Sequence, residues 1–389
     1  MDSKPALRAA SLSRAFKLWR DRACPMRRET LVQIARRTGF SMGLLDASLD
    51  ALLAPFSPDA LESMAELVPS QPALGQPETV GFIMAGNVAG AGLHEIVTAL
   101  ISGAAVVIKS ASSEPVFFQA FATTIAQSDP ALGARVAVLV WDRSRADLTR
   151  ALLESCDSIA AYGDDSTIAA LGGTRKLIGF PSRVSGAVVA LNQFDTQALQ
   201  RIADKVALDV SLFEQLGCLS PHHVFLLDSN ATRARHFAAQ IGGALDRLAG
   251  TMPAPAQLNL EDAAAIRGIR EIARWRRIGG EPVELWEGRR LDWTLVFDPD
   301  AKFAMSPGFR TVCVSLVRDP EDLRDRLVPA SGRLEAFAVG ADEPMRSSLR
   351  GVLRSLGVSH ICPPGTMQSP PLDWRHGGGE FLELMGVYQ

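Results

Sequence analysis

The chain has 389 residues, of which 47% are hydrophobic, and a formal net charge of −3 with a pI near 6.1. This length suits two or three domains with sizeable cores. The balanced charge excludes a basic surface for nucleic acid, and no apolar run is long enough to predict a membrane span.

The N-terminal part of the chain, residues 1–75, carries apolar residues at helical spacing and is predicted to be a helical segment with a Pro-rich linker at 69–77. Strand-like apolar runs then alternate with helical patterns. Strands are predicted at 80–85, 104–109, 135–140, 158–161, 176–180 and 186–191. Helices are predicted at 94–102, 115–127 and 144–153, with a short helix after Gly163. Serine hydroxyls and an acid in 110–115 are expected to cap the second of these helices.

The same alternation continues through the second half of the chain. Helices are predicted at 195–212, 230–248, 259–277 and 343–356. Strands are predicted at 223–227, 292–297, 310–316, 334–339 and 358–361. Continuous apolar strands that alternate with helices predict an α/β fold with parallel, doubly wound sheets.

One cysteine, Cys218, follows a glycine on the predicted loop between helix 195–212 and strand 223–227. Catalytic groups are commonly displayed on such loops, and glycine lets the backbone approach a ligand closely. The alternative for a free cysteine is a small buried hydrophobe, which is our interpretation of Cys156 and Cys313. The odd number and wide spacing of the five cysteines favour a reducing cytoplasm over disulfides, and no Cys/His spacing predicts a metal site.

A glycine-rich turn at 86–92 lies between the first predicted strand and its helix. Its backbone N–H groups could hold a pyrophosphate, but the GxGxxG spacing is missing, so a purely structural turn is an equal alternative. Within it, Asn87 is either a donor to a developing oxyanion or an ordinary turn residue. Lys109, at the end of the second predicted strand, is either a cofactor contact or a lysine that snorkels from the sheet edge.

Taken together, these segments resemble the aldehyde dehydrogenase superfamily, and within it the LuxC-type acyl-CoA reductases, the fatty acid reductases that supply aldehyde to bacterial luciferase. The most specific stretches are 213–221 (FEQLGCLSP), 182–185 (SRVS), 360–368 (HICPPGTMQ) and 370–376 (PPLDWRH). The resemblance covers the chain from residue 75 to 389, and it implies an aldehyde dehydrogenase-like fold with two Rossmann-like doubly wound domains.

The resemblance also implies a chemistry. A cysteine attacks an acyl thioester, CoA or a carrier-protein thiol leaves, and hydride from a nicotinamide reduces the S-acyl-enzyme to an aldehyde. By this similarity Cys218 is the nucleophile, and the Asn87 amide stabilises the oxyanion together with the Cys218 backbone N–H. Gly163 matches the first glycine of the turn on the pyrophosphate side of the cofactor.

Two departures from the superfamily pattern refine this expectation. Hydrolytic members carry a glutamate base where this chain has 180–186, which contains no carboxylate, so thioester reduction is favoured over aldehyde oxidation. A superfamily glutamate that repels a 2′-phosphate is replaced by Ser112, while Lys109 supplies a cation. We therefore expect NADPH as the cofactor, in contact with Lys109, Ser110 and Ser112.

The predicted organisation is a helical N-terminal segment at 1–75, a nicotinamide cofactor-binding domain at 76–190 with later return segments, a catalytic domain at 191–350 and a C-terminal segment at 351–389. The predicted function is NADPH-dependent reduction of an acyl-CoA or acyl-carrier protein thioester to an aldehyde. Two alternatives stay open: an oxidative NAD(P)-dependent aldehyde or semialdehyde dehydrogenase, and a non-catalytic subunit that presents acyl chains. The resemblance further implies an acyl-protein synthetase partner and a homo-oligomer.

Overall fold

A computed structural model describes residues 4–69, 76–172, 177–379 and 381–386. The chain divides into two compact units. The first unit contains Met1–Thr38, Leu52–Ser182 and Pro371–Gln389. The second unit contains Gly39–Ala51 and Arg183–Pro370. Most of the predicted linker lies outside the described residues, and the functional domain boundaries given above stay a prediction.

Four helices form the N-terminal part of the chain, as the helical spacing predicted. They are α1 (Pro5–Arg20), α2 (Pro25–Thr38), α3 (Met42–Leu53) and α4 (Pro58–Leu67). Aromatic side chains fix α1 in the first unit, where Phe16 stacks on Phe56 at a centroid distance of 4.6 Å. Trp19 contacts Phe117 at 5.2 Å. The α1 rings are fully buried, and the area that they remove from water stabilises this packing.

The first unit contains a five-stranded parallel sheet with strand order β3-β2-β1-β4-β5. The strands are β1 (Thr79–Ile83), β2 (Ala105–Ser110), β3 (Val136–Val140), β4 (Ser158–Tyr162) and β5 (Leu177–Phe180). The helices are α5 (Leu93–Ser102), α6 (Val116–Ser128), α7 (Pro130–Gly133), α8 (Ala146–Ser155) and α9 (Asp165–Ala170). The winding direction reverses between β1 and β4, and ligands of such sheets bind beyond the carboxyl ends of the strands at this reversal.

The second unit contains a seven-stranded sheet that is parallel except for the antiparallel edge strand β8. The strands are β6 (Val184–Ala190), β7 (Pro221–Leu227), β8 (Glu284–Glu287), β9 (Thr294–Phe297), β10 (Thr311–Val317), β11 (Leu334–Gly340) and β12 (His360–Cys362). The helices are α10 (Thr196–Ser211), α11 (Ala231–Thr251), α12 (Leu260–Ile278), α13 (Pro320–Leu327) and α14 (Met345–Ser355). A last short helix, α15 (Phe381–Leu384), belongs to the first unit.

The observed architecture confirms the predicted α/β fold class with parallel sheets. One local prediction is wrong, because no serine hydroxyl caps α6: its capping residue is Pro115, and Glu114 Oε1 accepts from the N–H groups of Val116 and Phe117 instead. The acid expected in 110–115 therefore performs the capping alone. In the described part of the chain, no helix has the length and apolar character that crossing a membrane requires.

Candidate active site

Cys218 lies on the loop between α10 and β7 in the second unit, and its side chain is partly exposed. The chain leaves α10 through Phe213, Glu214 and Gln215, whose φ angles are 54°, 52° and 62°. Non-glycine residues in this left-handed region cost free energy and persist only where surrounding contacts hold them. Such strain is concentrated at functional sites, which makes the segment before Cys218 a candidate.

Buried side-chain contacts hold this strained turn. Arg310 Nη2 donates to Glu214 Oε1 at 2.5 Å and Nε donates to Oε2 at 3.1 Å, and both side chains are fully buried. Gln215 Nε2 donates to Pro221 O at 2.7 Å, and its Oε1 accepts from Thr311 N–H at 2.8 Å. The turn is therefore tied to β7 and to the start of β10 by its own side chains.

The loop is also fixed on both sides of the thiol. Ser185 Oγ donates to Cys218 O at 2.6 Å and accepts from Ala336 N–H at 3.0 Å. Gln368 Nε2 donates to Ser220 Oγ at 3.0 Å. Three of the stretches that carry the family resemblance thus meet at this loop. A rigid setting of this kind can hold a nucleophile in a reactive orientation.

The other thiols are less suited to nucleophilic attack. All five cysteines are free. Burial raises the pKa of Cys156 to about 11 and the pKa values of Cys313 and Cys362 to about 12. Near neutral pH these groups supply little thiolate, which is the attacking form. Cys24 lies in the connection between the N-terminal helices α1 and α2. Cys218, in contrast, follows a strained and buried turn, which is the position that best fits a nucleophile.

Two histidines follow Cys218 in the sequence, and both are buried in β7. Burial lowers the pKa of His222 to about 4 and that of His223 to about 3. Nδ1 of His222 lies 2.8 Å from Ser306 Oγ, and Nε2 of His223 lies 2.8 Å from Ser315 Oγ. Both rings are therefore neutral near pH 7. Among the residues that the structure describes, no group of three or more His, Cys, Asp or Glu side chains could hold a metal ion.

In the first unit, the glycine-rich turn follows β1 at the reversal of the sheet. A Cβ added to Gly86 would lie 2.1 Å from Ser113 Oγ, so only glycine lets this turn pack against the loop after β2. Gly90 and Gly92 have φ angles of 80° and 79°, which glycine adopts without strain. Asn87 lies on this turn with an exposed side chain.

The predicted cofactor contacts on β2 lie beside this turn. Burial lowers the pKa of Lys109, against the opposing effect of Asp142, and its Nζ lies 6.0 Å from the centroid of the Trp141 ring. Ser110 Oγ is fully buried and has no hydrogen-bond partner among the described residues, whereas Ser112 is exposed. Of these three side chains Ser112 is the exposed one, whereas Lys109 is largely buried and Ser110 becomes accessible only if its neighbours shift.

The glycine-rich turn and the polar groups of β2 together offer contacts that suit a phosphate-bearing dinucleotide. A tight glycine turn, a cation and an unpaired hydroxyl lie at the carboxyl ends of β1 and β2. Backbone N–H groups of such turns and nearby cations stabilise phosphates. The residues of the first unit therefore fit a nicotinamide dinucleotide, whose phosphates this edge of the sheet would hold.

Gly163 follows β4 on the other side of the reversal. Its N–H donates to Phe180 O at 3.4 Å, and an added Cβ would lie 3.0 Å from Thr167 Cγ2. The adjacent Asp164 caps α9, because its Oδ1 accepts from Ser166 Oγ at 2.7 Å and from Thr167 N–H at 2.6 Å. These hydrogen bonds lower the pKa of Asp164 to about 2. Its carboxylate is thus engaged in capping the helix.

The first unit also contains an acid–histidine pair that is not evident from the sequence. Glu95, in the first turn of α5, is buried, and its Oε1 lies 2.8 Å from His376 Nδ1. Burial opposes ionisation, but the charge and hydrogen bond of His376 lower the pKa of Glu95 to about 2. His376 also stacks on Trp374 at 4.3 Å and on Phe180 at 4.5 Å. No sequence pattern connects positions 281 residues apart, so this pair was not predictable.

Solved aldehyde dehydrogenases share this fold. Gamma-glutamyl-gamma-aminobutyraldehyde dehydrogenase from Burkholderia cenocepacia J2315 has a TM-score of 0.71 at 16% identity, covering 99% of this chain and 83% of that chain. The Mycobacterium tuberculosis aldehyde dehydrogenase complexed with NAD+ has a TM-score of 0.66 at 17% identity, covering 93% and 78%. At such identities the similarity establishes the fold alone, and the protein is of the aldehyde dehydrogenase-like class.

Within this class the family can be assigned. The family of acyl-CoA reductases called LuxC matches residues 10–387, so the chain belongs to it. A curated relative, the long-chain acyl-protein thioester reductase of Aliivibrio fischeri, is 24% identical over 258 residues, which is 64% of this chain. The match spans 51% of that relative, about half of its length.

Proposed function

We propose that this protein reduces an acyl thioester to an aldehyde, with Cys218 as the nucleophile that carries the acyl group. The observation that supports this most is the Cys218 loop, where a strained and buried turn presents a partly exposed thiol. Membership of the LuxC family and similarity to an acyl-protein thioester reductase support the reaction class.

In the proposed first step, the Cys218 thiolate attacks the carbonyl carbon of the thioester. The bond from that carbon to the substrate sulfur breaks, the released thiolate takes up a proton, and the acyl group is now a thioester of Cys218. We assign to the Asn87 amide and to the Cys218 backbone N–H the stabilisation of the oxyanion. A nicotinamide, when bound, would supply the hydride that reduces the acyl group to the aldehyde, and Cys218 would be released from the acyl carbon as its thiolate.

We assign cofactor binding to Lys109, Ser110, Ser112 and Gly163, and we favour NADPH over NADH. A cation stabilises a 2′-phosphate, and Lys109 supplies one; in the sequence serines, and no carboxylate, follow this lysine directly. The unpaired hydroxyl of Ser110 supports a ligand contact at this edge.

The arrangement around Cys218 favours reduction over hydrolysis. Hydrolysis of an acyl-enzyme needs a base to activate water. Glu214 is the carboxylate nearest to Cys218 in the sequence, but Arg310 occupies both of its oxygens and the pair is fully buried. Glu214 is therefore a structural group that holds the turn, which supports the thioester reductase over the oxidative alternative.

The substrates and partners follow from the same proposal. The donor is an acyl-CoA or an acyl-carrier protein, and we extend the family expectation of an acyl-protein synthetase partner and a homo-oligomer to this chain. Five free thiols fit the reducing cytoplasm as the compartment.

Intact mass spectrometry tests the nucleophile. Wild-type protein is incubated with a series of acyl-CoAs, and we expect a mass increase equal to one acyl group because Cys218 forms a covalent thioester. Addition of NADPH should remove this mass and release the aldehyde. Cys218→Ala should show neither the adduct nor the aldehyde.

Cys24→Ala is the matched control, since that thiol lies outside the proposed site, and it should behave as wild type. An adduct that persists on Cys218→Ala would contradict the assigned nucleophile. An adduct that forms on wild type but releases carboxylic acid instead of aldehyde would contradict the proposed reduction.

A further inference from the structure

A large cavity lies in the second unit, apart from the Cys218 loop itself. Its volume is about 1030 Å³, and it is bounded by the segment 253–258, by α12 and by the segment 289–292, with Phe309 in its wall. Small-molecule sites are roughly 300–1,000 Å³, so this cavity is large enough for a nucleotide-sized ligand.

The lining of the cavity includes five arginines and two carboxylates beside nine apolar residues, most of them Ala and Pro. The arginines are Arg267, Arg270, Arg274, Arg289 and Arg290, and the acids are Glu271 and Asp292. Arg270 donates to Thr294 Oγ1 at 2.8 Å and to Trp293 O at 2.9 Å, so it belongs to the fold.

Arg274 is a second paired arginine of the lining, and the lining as a whole keeps an excess of positive charge. Arg274 bonds Glu271 and Glu287, which neutralises one of the lining acids. Arg267, Arg289 and Arg290 are exposed, and their guanidinium groups have no hydrogen bond or ion pair with the described residues. Three uncommitted guanidinium groups thus face one remaining carboxylate.

This chemistry selects a phosphate-bearing ligand. Guanidinium groups bind phosphate through paired N–H donors, and several arginines around one cavity fit more than one phosphate.

The cavity wall is also connected to the segment that carries the thiol. Phe309 N–H donates to Glu214 O at 2.8 Å, and Arg310 forms the buried pair with Glu214. A Cβ added to Gly308 would lie 2.9 Å from Leu216 Cδ2, two residues before Cys218. The arginine-lined cavity and the nucleophile loop are therefore connected through the segment 308–310, of which Phe309 lies in the cavity wall.

From these observations, and resting on the proposed thioester reduction, we propose that the arginine-lined cavity binds the phosphates of the thioester donor. In CoA and in a carrier protein, phosphate lies at one end of a flexible pantetheine arm and the reacting carbonyl at the other. The cavity holds the phosphate end, while the acyl end reaches Cys218. The arginines thus act in binding and positioning and take no part in the chemistry.

The test uses the triple variant Arg267→Gln/Arg289→Gln/Arg290→Gln in the full chain. We measure kcat and KM with an acyl-CoA and with the same acyl group on N-acetylcysteamine, which has no phosphate. For the acyl-CoA we expect KM to rise about tenfold or more with kcat unchanged, because charge-assisted contacts to phosphate are lost. For the N-acetylcysteamine thioester we expect no change, and the salt dependence of KM should be weaker in the variant.

Arg277→Gln is the matched control, because Arg277 is an exposed arginine of α12 outside the cavity lining and should leave KM unchanged. An equal change of KM for both thioesters would overturn the proposal. So would weaker NADPH binding, measured by fluorescence, with an unchanged KM for acyl-CoA, because the cavity would then hold cofactor phosphates.

Calorimetric titration with free CoA separates this inference from the proposed function. If wild type reduces no thioester but binds CoA, and the triple variant does not, the function fails and the phosphate site stands. If CoA does not bind but the triple variant raises KM for an acyl-carrier protein, the phosphate comes from the carrier. If neither donor depends on the three arginines, the phosphate site is wrong.

Discussion

At the scale of single residues, the Ser185 hydroxyl connects two backbone groups of the second unit that lie far apart in the sequence. It donates to Cys218 O at 2.6 Å and accepts from Ala336 N–H at 3.0 Å, in a fully buried position. Leaving buried polar groups without partners costs about 1–3 kcal/mol. Ser185→Ala should therefore lower the free energy of unfolding by that amount and slow the acylation of Cys218, measured by denaturant titration and by the rate of mass increase.

A serine outside the site gives the comparison. Ser355 is exposed and its Oγ donates to Val352 O at 2.7 Å, so Ser355→Ala should change stability by no more than about 0.5 kcal/mol. If Ser185→Ala were equally mild, the hydroxyl would not be holding the Cys218 loop.

The backbone conformation just before Cys218 is a feature that the sequence does not reveal, although the sequence does indicate Cys218 itself. Position 218 was identified because a cysteine followed a glycine between a helix and a strand. The left-handed turn at 213–215 was not predictable, since none of its residues is glycine. Its stability depends on Arg310, which lies 96 residues from Glu214 in the sequence. Such a pair has no local pattern, so only the folded chain reveals it.

At the scale of helices and strands, Asp209 joins α10 to the segment after β12. Its carboxylate accepts from Gly365 N–H at 2.6 Å and from Met367 N–H at 3.1 Å. Burial raises its pKa from the usual 3.8 to about 7, although both backbone hydrogen bonds oppose this. Between pH 3.8 and about 7, Asp209 holds a proton in the folded state that it lacks in the unfolded chain. The free energy of unfolding therefore falls as the pH rises through this range.

Asp209→Asn should remove this dependence. The slope of the free energy of unfolding against pH should become more positive, by up to about 1.4 kcal/mol per pH unit between pH values of about 4 and 7. Burial lowers the pKa of His222 to about 4, and this residue makes the free energy of unfolding rise with pH. The reason is that, as pH falls below 6.5, His222 is protonated first in the unfolded chain. That effect is common to both proteins and cancels in the comparison.

Denaturant titrations at several pH values in this window measure the two slopes. His236→Gln is a suitable control, since it replaces a histidine on α11 and leaves Asp209 and its partners intact. Parallel curves for wild type and Asp209→Asn would contradict a protonated Asp209 in the folded state.

Strands and helices with a clear buried apolar pattern were predicted from the sequence, and two elements without one were missed. β2 was predicted within one residue, because its apolar run is buried in a parallel sheet and has no alternation to misread. β8 was missed because it is a short, half-buried edge strand with glutamates at both ends. α13 was missed because Leu323 and Leu327 are the buried residues in an otherwise charged sequence. Weak apolar periodicity therefore explains both omissions.

At the scale of the whole molecule, the chain passes between the two compact units more than once. The boundaries fall after residues 38, 51, 182 and 370, so the C-terminal tail returns to the unit that contains β1. Parallel sheets of this kind were predictable from strand–helix alternation, but the return of the tail was not. It depends on contacts such as Glu95 with His376 and Phe82 with Phe381, which lie far apart in the sequence.

Deletion of the C-terminal tail tests how independent the units are. Removal of residues 371–389 takes away the buried side chains of Leu372, Phe381, Leu382 and Met385, all within the first unit. Large apolar truncations cost about 2–5 kcal/mol each, so amides of β1 and α5 should lose most of their protection against hydrogen exchange. Amides of β7 and β10 should keep theirs, because the second unit retains its own sheet and core.

Hydrogen exchange measured by mass spectrometry resolves these two sets of peptides. Glu383→Gln is the control, because Glu383 is exposed and its ion pair with Arg375 is 3.8 Å long. Exposed pairs contribute at most about 1 kcal/mol, so that variant should exchange as wild type. An equal loss of protection in β1 and β7 would mean that the chain unfolds as one cooperative unit. Selective loss would mean that the tail stabilises the unit proposed to bind the cofactor without being required for the fold around Cys218.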